Sequence, residues 1–156
     1  HINVESERAP VRGVDSNIFF INHNHMEANV DDGRSYRNEF EAKYVIELAE
    51  YLIKQGYEPQ QITVLVMYLG QRQFIAKQVT DNYQGEENDI IILSLVRSNP
   101  EKNIGFLKTH NRICVSLSRA RCGLFVIGNM TLLAEVNEMW KQIVASVSAT
   151  NNIGNG

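Results

Sequence analysis

Two polar signatures carry residue types suited to a nucleotide. The first, Tyr83-Gln84-Gly85-Glu86-Glu87-Asn88-Asp89, places a glycine beside carboxylates. Gly85 permits a close backbone approach, and a carboxylate there could accept hydrogen bonds from a ribose. The second, Ser116-Leu117-Ser118-Arg119-Ala120-Arg121, follows Asn111-Arg112. If residues 111–121 are helical, Arg112, Ser116 and Arg119 share one face, while Ile113, Cys114, Leu117 and Ala120 turn inward. Arginine is always charged and forked for bidentate contact with a phosphate. Each signature also has a plainer reading, as a solvated acidic turn or a helix with surface arginines. No GxxxxGK[ST] occurs, so nothing in the chain cradles phosphates or holds magnesium through a P-loop. A nucleotide site built from this chain is half a site.

The elements that must position these residues follow from periodicity. Ile18–Ile21 is a short apolar run suited to a buried strand. The polar stretch from Asn22 to Asn38 reads as a surface loop, with His23 and His25 as solvated side chains. Phe40, Tyr44, Val45, Leu48, Ala49, Leu52 and Ile53 mark one helix stripe, with Asn38 as N-cap and Glu41 completing a box-like pair. Gly56 supplies its left-handed stop, and Pro59 bars continuation. Ile62–Met67, Ile90–Leu95 and Leu124–Ile127 are continuous rather than alternating runs, the mark of strands buried on both faces. A helix is expected over Gln71–Gln78, and a last one carries Leu132, Leu133, Val136, Met139, Trp140, Ile143 and Val144. The result is an α/β fold, a three-layer domain with a mostly parallel sheet. Residues 1–16 form an N-terminal arm, 17–145 the domain and 146–156 a disordered tail.

Composition narrows the class. The 156 residues suffice for one core, and 44% hydrophobic with 21% charged residues is ordinary for a globular chain. The opening HINVESERAP does not read as a signal peptide, no apolar run is long enough for a span, and the missing initiating Met suggests a fragment of a longer protein. Cys114 and Cys122 match no zinc spacing and read as reduced packing residues. A chain that binds nucleic acid by its overall field is basic, so a net charge of −3 requires any such contact to come from a local patch.

At these motifs the chain resembles the second RecA-like domain of superfamily-one RNA helicases of the Upf type. Within that group it is most similar to the large helicases with zinc fingers of the X-box-binding-factor type. Ser35-Tyr36-Arg37-Asn38 with Glu41-Ala42 resembles the family's SxxNxxEA, and ITVLVMYLGQ from Ile62 to Gln71 is similar to motif four, with Met67 in place of a threonine-proline pair. Tyr83–Asp89 with IIILSLVRSN is similar to motif five, and Asn111-Arg112 with Ser116–Arg121 to motif six. A further stretch that relatives carry before Val79-Thr80-Asp81, including most of a strand, is absent here, as are the zinc fingers.

The resemblance implies an ATP-dependent helicase in which this chain is the carboxyl-side half, inactive without an upstream P-loop domain. That domain would hold most of the Mg2+ and the adenine. On this likeness Arg119 is the catalytic arginine finger, and Gly85, Glu87, Arg112 and Arg119 bind nucleotide. Tyr68, Gln71, Thr80, Ser94 and Arg97, with the loop to Lys108, hold single-stranded RNA. No metal ligand is assigned within the chain, and a cytoplasmic place is implied. Two alternatives stand beside this reading: a non-catalytic α/β interaction module with the helicase fold, and a DNA helicase domain.

Overall fold

The computed structural model describes residues 17–30, 33–78, 89–109, 122–150 and 152–155. Strand β1 (Ile18–Asn22) leads through a small antiparallel pair, β2 (Ala28–Val30) and β3 (Ser35–Arg37), into helix α1 (Glu39–Lys54). Strand β4 (Ile62–Val66), helix α2 (Leu69–Gln78), β5 (Ile90–Ser94) and β6 (Gly123–Gly128) follow. Helices α3 (Met130–Val136) and α4 (Glu138–Ala149) then lead to β7 (Ile153–Asn155).

Among the described residues the main sheet has five strands in the order β4-β5-β6-β1-β7, and every pairing is parallel. This is the expected three-layer α/β architecture of a RecA-like domain. The continuous apolar runs are explained by two cores, one on each face. Ile18, Phe20, Ile91, Leu93, Leu124 and Val126 pack with α3 and α4 around Trp140. The alternate residues Ile21, Ile90, Ile92, Phe125 and Ile127 pack against Val45, Ala49 and Leu52 of α1. No helix among the described residues is long and apolar enough to cross a membrane.

Local signals explain the ends of α1. Asn38 caps it by accepting from the Glu41 amide at 3.2 Å. At the other end Gly56 has φ +107°, its amide reaching Ile53 O, while the Tyr57 amide reaches Leu52 O, a Schellman pair. The cap is nevertheless half a box. The Glu41 side chain does not return to the Asn38 amide, which donates instead to Gln71 Oε1 at 2.9 Å.

Four further expectations are corrected. Helix α2 starts at Leu69, two residues before Gln71. The loop between β1 and α1 contains the β2–β3 pair, whose brevity leaves no period to read. The last helix is two, because Asn137 sits extended at φ −142° and its side chain accepts from the Trp140 amide, capping α4 afresh. The end of the chain is not a disordered tail: α4 continues to Ala149, and β7 pairs with β1. The free edge of β1 supplies a hydrogen-bond ladder that does not depend on apolar content. Gly154 leaves room there for the Phe19 ring, since a Cβ would lie 2.8 Å from its Cζ.

Candidate functional site at the carboxyl edge of the sheet

The strands divide the candidate residues between two edges. Asp89 and Cys122 meet at the amino edge, where the Cys122 and Gly123 amides both donate to Asp89 O, at 2.6 and 2.9 Å. These two residues follow directly on the segments that carry Gly85 and Glu87, and Arg112 and Arg119. Those four, with Thr80, lie outside the described residues. At the carboxyl edge of the sheet stand Tyr68 and Gln71, after β4, and Ser94 and Arg97, at and just beyond the end of β5. Five parallel-strand residues separate the edges by roughly 13 Å.

Those four carboxyl-edge residues are brought together, and all four are buried. Gln71 uses its whole amide: Oε1 accepts from the Asn38 amide, and Nε2 donates to Asn38 O and to Ser94 Oγ, each at 3.0 Å. The Ser94 hydroxyl in turn donates to Glu41 Oε1 at 2.7 Å. Such a closed network is rigid, because each buried polar group has a partner that no alternative arrangement would replace.

Glu41, fully buried in the first turn of α1, is the centre of this network. Its Oε1 also accepts the Val96 amide at 2.9 Å, and its Oε2 lies 2.7 Å from His23 Nε2. His23 Nδ1 accepts from the His25 amide at 3.0 Å, which places the ring proton on Nε2, directed at Glu41. His23 is therefore not a solvated loop side chain. It is buried, whereas His25 is exposed and stacks on Phe40 with ring centroids 3.8 Å apart. A carboxylate near the positive end of a helix, with three donors, is a satisfied buried charge.

The residue gripped by Glu41 is strained. Val96 has φ +71°, and the Arg97 amide donates to Leu95 O at 2.8 Å, closing a γ-turn of the rare positive-φ kind. A β-branched residue rarely occupies that region. The α1 cap holds the turn from both sides, Glu41 taking the Val96 amide and Asn38 Nδ2 donating to Val96 O at 3.1 Å.

Beyond the turn, Arg97 folds back over its own loop. Its guanidinium lies 3.9 Å from the centroid of Tyr36, donates through Nε to Glu27 Oε1 at 2.9 Å and through Nη1 to Tyr68 Oη at 3.1 Å. Burial works against the charged form, but the hydrogen bonds to Tyr68 and Glu27 outweigh it, and the guanidinium pKa is raised. Glu27 Oε1 also accepts from the Ser98 amide and from Asn99 Nδ2. Gly105, at φ +53°, lies where a Cβ would be 2.5 Å from Arg97 Nη1 and 2.7 Å from Tyr68 Oη. Phe106, exposed, lies over Tyr68, its amide donating to Tyr68 Oη at 3.3 Å; Lys108 is exposed two residues on, and Lys102, also exposed, pairs through Nζ with Glu135 Oε1 at 2.6 Å.

A cleft of about 480 Å3 adjoins this loop, lined by residues that include Asn22, His23, Asn99, Lys102 and Asn129. It opens where β1 turns to α1 on one face of the sheet and β6 turns to α3 on the other. That reversal is the place where open α/β sheets hold ligands. Glu27, Glu41 and Val96 carry no signal of this role in the sequence. Only the spacing of Asn38 and Glu41 pointed to a cap, and the partner it implied for the carboxylate was the wrong one.

The chain is similar to known proteins over most of its length. Residues 3–131 match the AAA domain family. The chain is 47% identical over 156 residues to mouse NFX1-type zinc finger-containing protein 1, covering 92% of this chain and 8% of that protein. It is 45% identical over 137 residues to the fission yeast helicase required for RNAi-mediated heterochromatin assembly 1, covering 78% of this chain and 14% of the other. To the budding yeast ATP-dependent helicase NAM7 it is 33% identical over 153 residues, covering 86% and 15%. The chain thus spans a small part of the length of these relatives.

Proposed function

The chain belongs to the AAA domain family, as a helicase domain of the Upf type, and from that premise we propose that it is the carboxyl-side RecA-like half of an ATP-driven RNA helicase. The whole protein hydrolyses ATP to move along single-stranded RNA, and this half is silent without the upstream P-loop domain. The carrying observation is the division of the sheet. The nucleotide signatures run into neighbouring strand starts at Asp89 and Cys122, and β5 ends in a loop fixed by Glu41, Glu27 and Arg97.

On this reading Arg119 meets the γ-phosphate, with Gly85, Glu87 and Arg112 around the nucleotide. When bound, the Mg2+ held mainly by the upstream domain neutralises phosphate charge. Tyr68, Gln71, Ser94 and Arg97 shape the RNA-holding surface from below, being buried, with Thr80 completing the set. Phe106 and Lys108 remain at the surface, an aromatic on which a base could stack and a cation, beside Lys102, whose ammonium would exchange Glu135 for a phosphate. Such a local patch reconciles RNA binding with a net charge of −3.

The test is ATP hydrolysis by the full-length protein with and without single-stranded RNA. Stimulation by RNA is expected, and Arg119→Ala should lower turnover by about 10³–10⁵ while sparing RNA binding. Normal turnover in that variant would remove Arg119 from its assigned role. Equal stimulation by DNA would broaden the track, and absence of hydrolysis would leave the interaction-module reading.

A further inference from the structure

We infer that Glu41 is a positioning residue for RNA engagement, acting through the strained γ-turn at Val96. This rests on the helicase reading above and deepens it. Neither group touches the solvent, since Glu41 and Val96 are both fully buried, so the effect on a bound strand is indirect.

The argument starts from the backbone. Valine at φ +71° is strained and persists only where its surroundings impose it. Here the imposing groups are identified. Glu41 Oε1 takes the Val96 N–H, and Asn38 Nδ2 donates to its C=O. Both belong to the start of α1, 55 and 58 positions away in sequence. Helix α1 is in turn fixed by its packed face of Val45, Ala49 and Leu52.

The turn decides where the loop goes. It reverses the chain directly after β5, so that Arg97 lies against Tyr36 and Tyr68 and the Ser98 amide reaches Glu27. Phe106 is tied to that start through Tyr68, whose hydroxyl takes both the Arg97 Nη1 and the Phe106 amide. If the Glu41 grip weakens, Val96 relaxes to negative φ, the γ-turn opens, and the exposed Phe106 loses its hold on the Arg97–Tyr68 pair.

Steady-state ATPase measurements on the full-length protein, titrated with poly-uridine RNA, test this. Glu41→Gln should raise the RNA concentration for half-maximal stimulation by about tenfold, on the scale of the strain. The KM for ATP should not rise in parallel. Placing Val96→Gly in the Glu41→Gln background should recover most of the loss, because glycine holds a positive φ unaided.

A purely structural role predicts the opposite ranking. The double variant has lost a buried side chain as well, so it should be less stable and worse in RNA binding than the single. If the double variant is the worse, or Glu41→Gln lowers only the folded fraction and leaves half-saturation unchanged, the inference is overturned. Should Glu41→Gln not fold, Glu41→Asp keeps the charge but withdraws the carboxylate from the Val96 amide by one methylene. A shift of about threefold in RNA half-saturation is then expected, and no shift overturns it. A wild-type protein that hydrolyses no ATP with RNA overturns the helicase reading itself. A stimulated wild type with unaltered variants overturns only the role of Glu41.

Discussion

The carboxylate of Glu41 accepts the Val96 amide at 2.9 Å, tying the first turn of α1 to a backbone conformation that valine disfavours. The contact joins residues 55 positions apart and sets the start of the loop beyond β5. It also brings His23, on the loop after β1, into the same network through the second carboxylate oxygen.

Gly70→Ala should destabilise the fold even though alanine is the better helix former. A Cβ there would lie 2.4 Å from Val30 Cγ2 and 2.9 Å from Tyr36 O, and the second contact is backbone. The β2–β3 pair must shift, at a cost of about 1–3 kcal/mol. Urea unfolding measures it; an unchanged or raised midpoint would show that the pair yields freely.

Arg97→Met should cost about 3–5 kcal/mol, because Glu27 keeps its buried charge without a cation. Arg97→Lys should lie between this and wild type, since an ammonium cannot reproduce the fork that meets both Glu27 and Tyr68. The raised guanidinium pKa sets the pH dependence. A cation whose folded pKa exceeds its unfolded one contributes fully below the unfolded value and fades only as pH rises through the folded value. Both lie above the ordinary working range, so the difference between wild type and Arg97→Met should stay flat from neutral to mildly alkaline pH. A marked decline over that range would contradict the clamp.

His23 and His25 should answer differently to the same substitution. His23→Phe removes a donor to a buried carboxylate, at about 1.5–3 kcal/mol. His25→Phe keeps a ring against Phe40 at an exposed position and should change stability by less than about 0.5 kcal/mol. Thermal melts of the two variants decide; equal effects would contradict the assigned environments.

Trp140→Phe should loosen the loop as well as the core. The indole Nε1 donates to Leu107 O at 2.9 Å, linking α4 to the turn Gly105–Lys108. Losing it leaves a buried carbonyl unpaired, at about 1–3 kcal/mol. Hydrogen exchange at the Leu107 and Thr109 amides, which bond to Ile104 O and Phe106 O, should accelerate beyond the change in global stability.

Periodicity was enough for the sheet and its helices because the relevant forces are local or repeat along the chain. Ile90–Leu93 reads as doubly buried because each residue is apolar, and the structure puts alternate members in two cores. Asn38 and Gly56 were legible for the same reason, since a cap and a left-handed stop depend on a few neighbours. Where the signal was backbone pairing, as in β7, or a three-residue strand, as in β2, side-chain pattern had nothing to report.

The sequence by itself determined the layers, the parallel strands and the family. Only the tertiary structure decided that Tyr68, Gln71, Ser94 and Arg97 lie beneath the surface, that His23 is buried, and that Glu41 turns toward Val96 rather than toward its own cap. The physical reason is distance along the chain. A buried carboxylate takes whichever donors the folded packing brings within reach, and here Ser94 and Val96 come from a strand end more than 50 residues away.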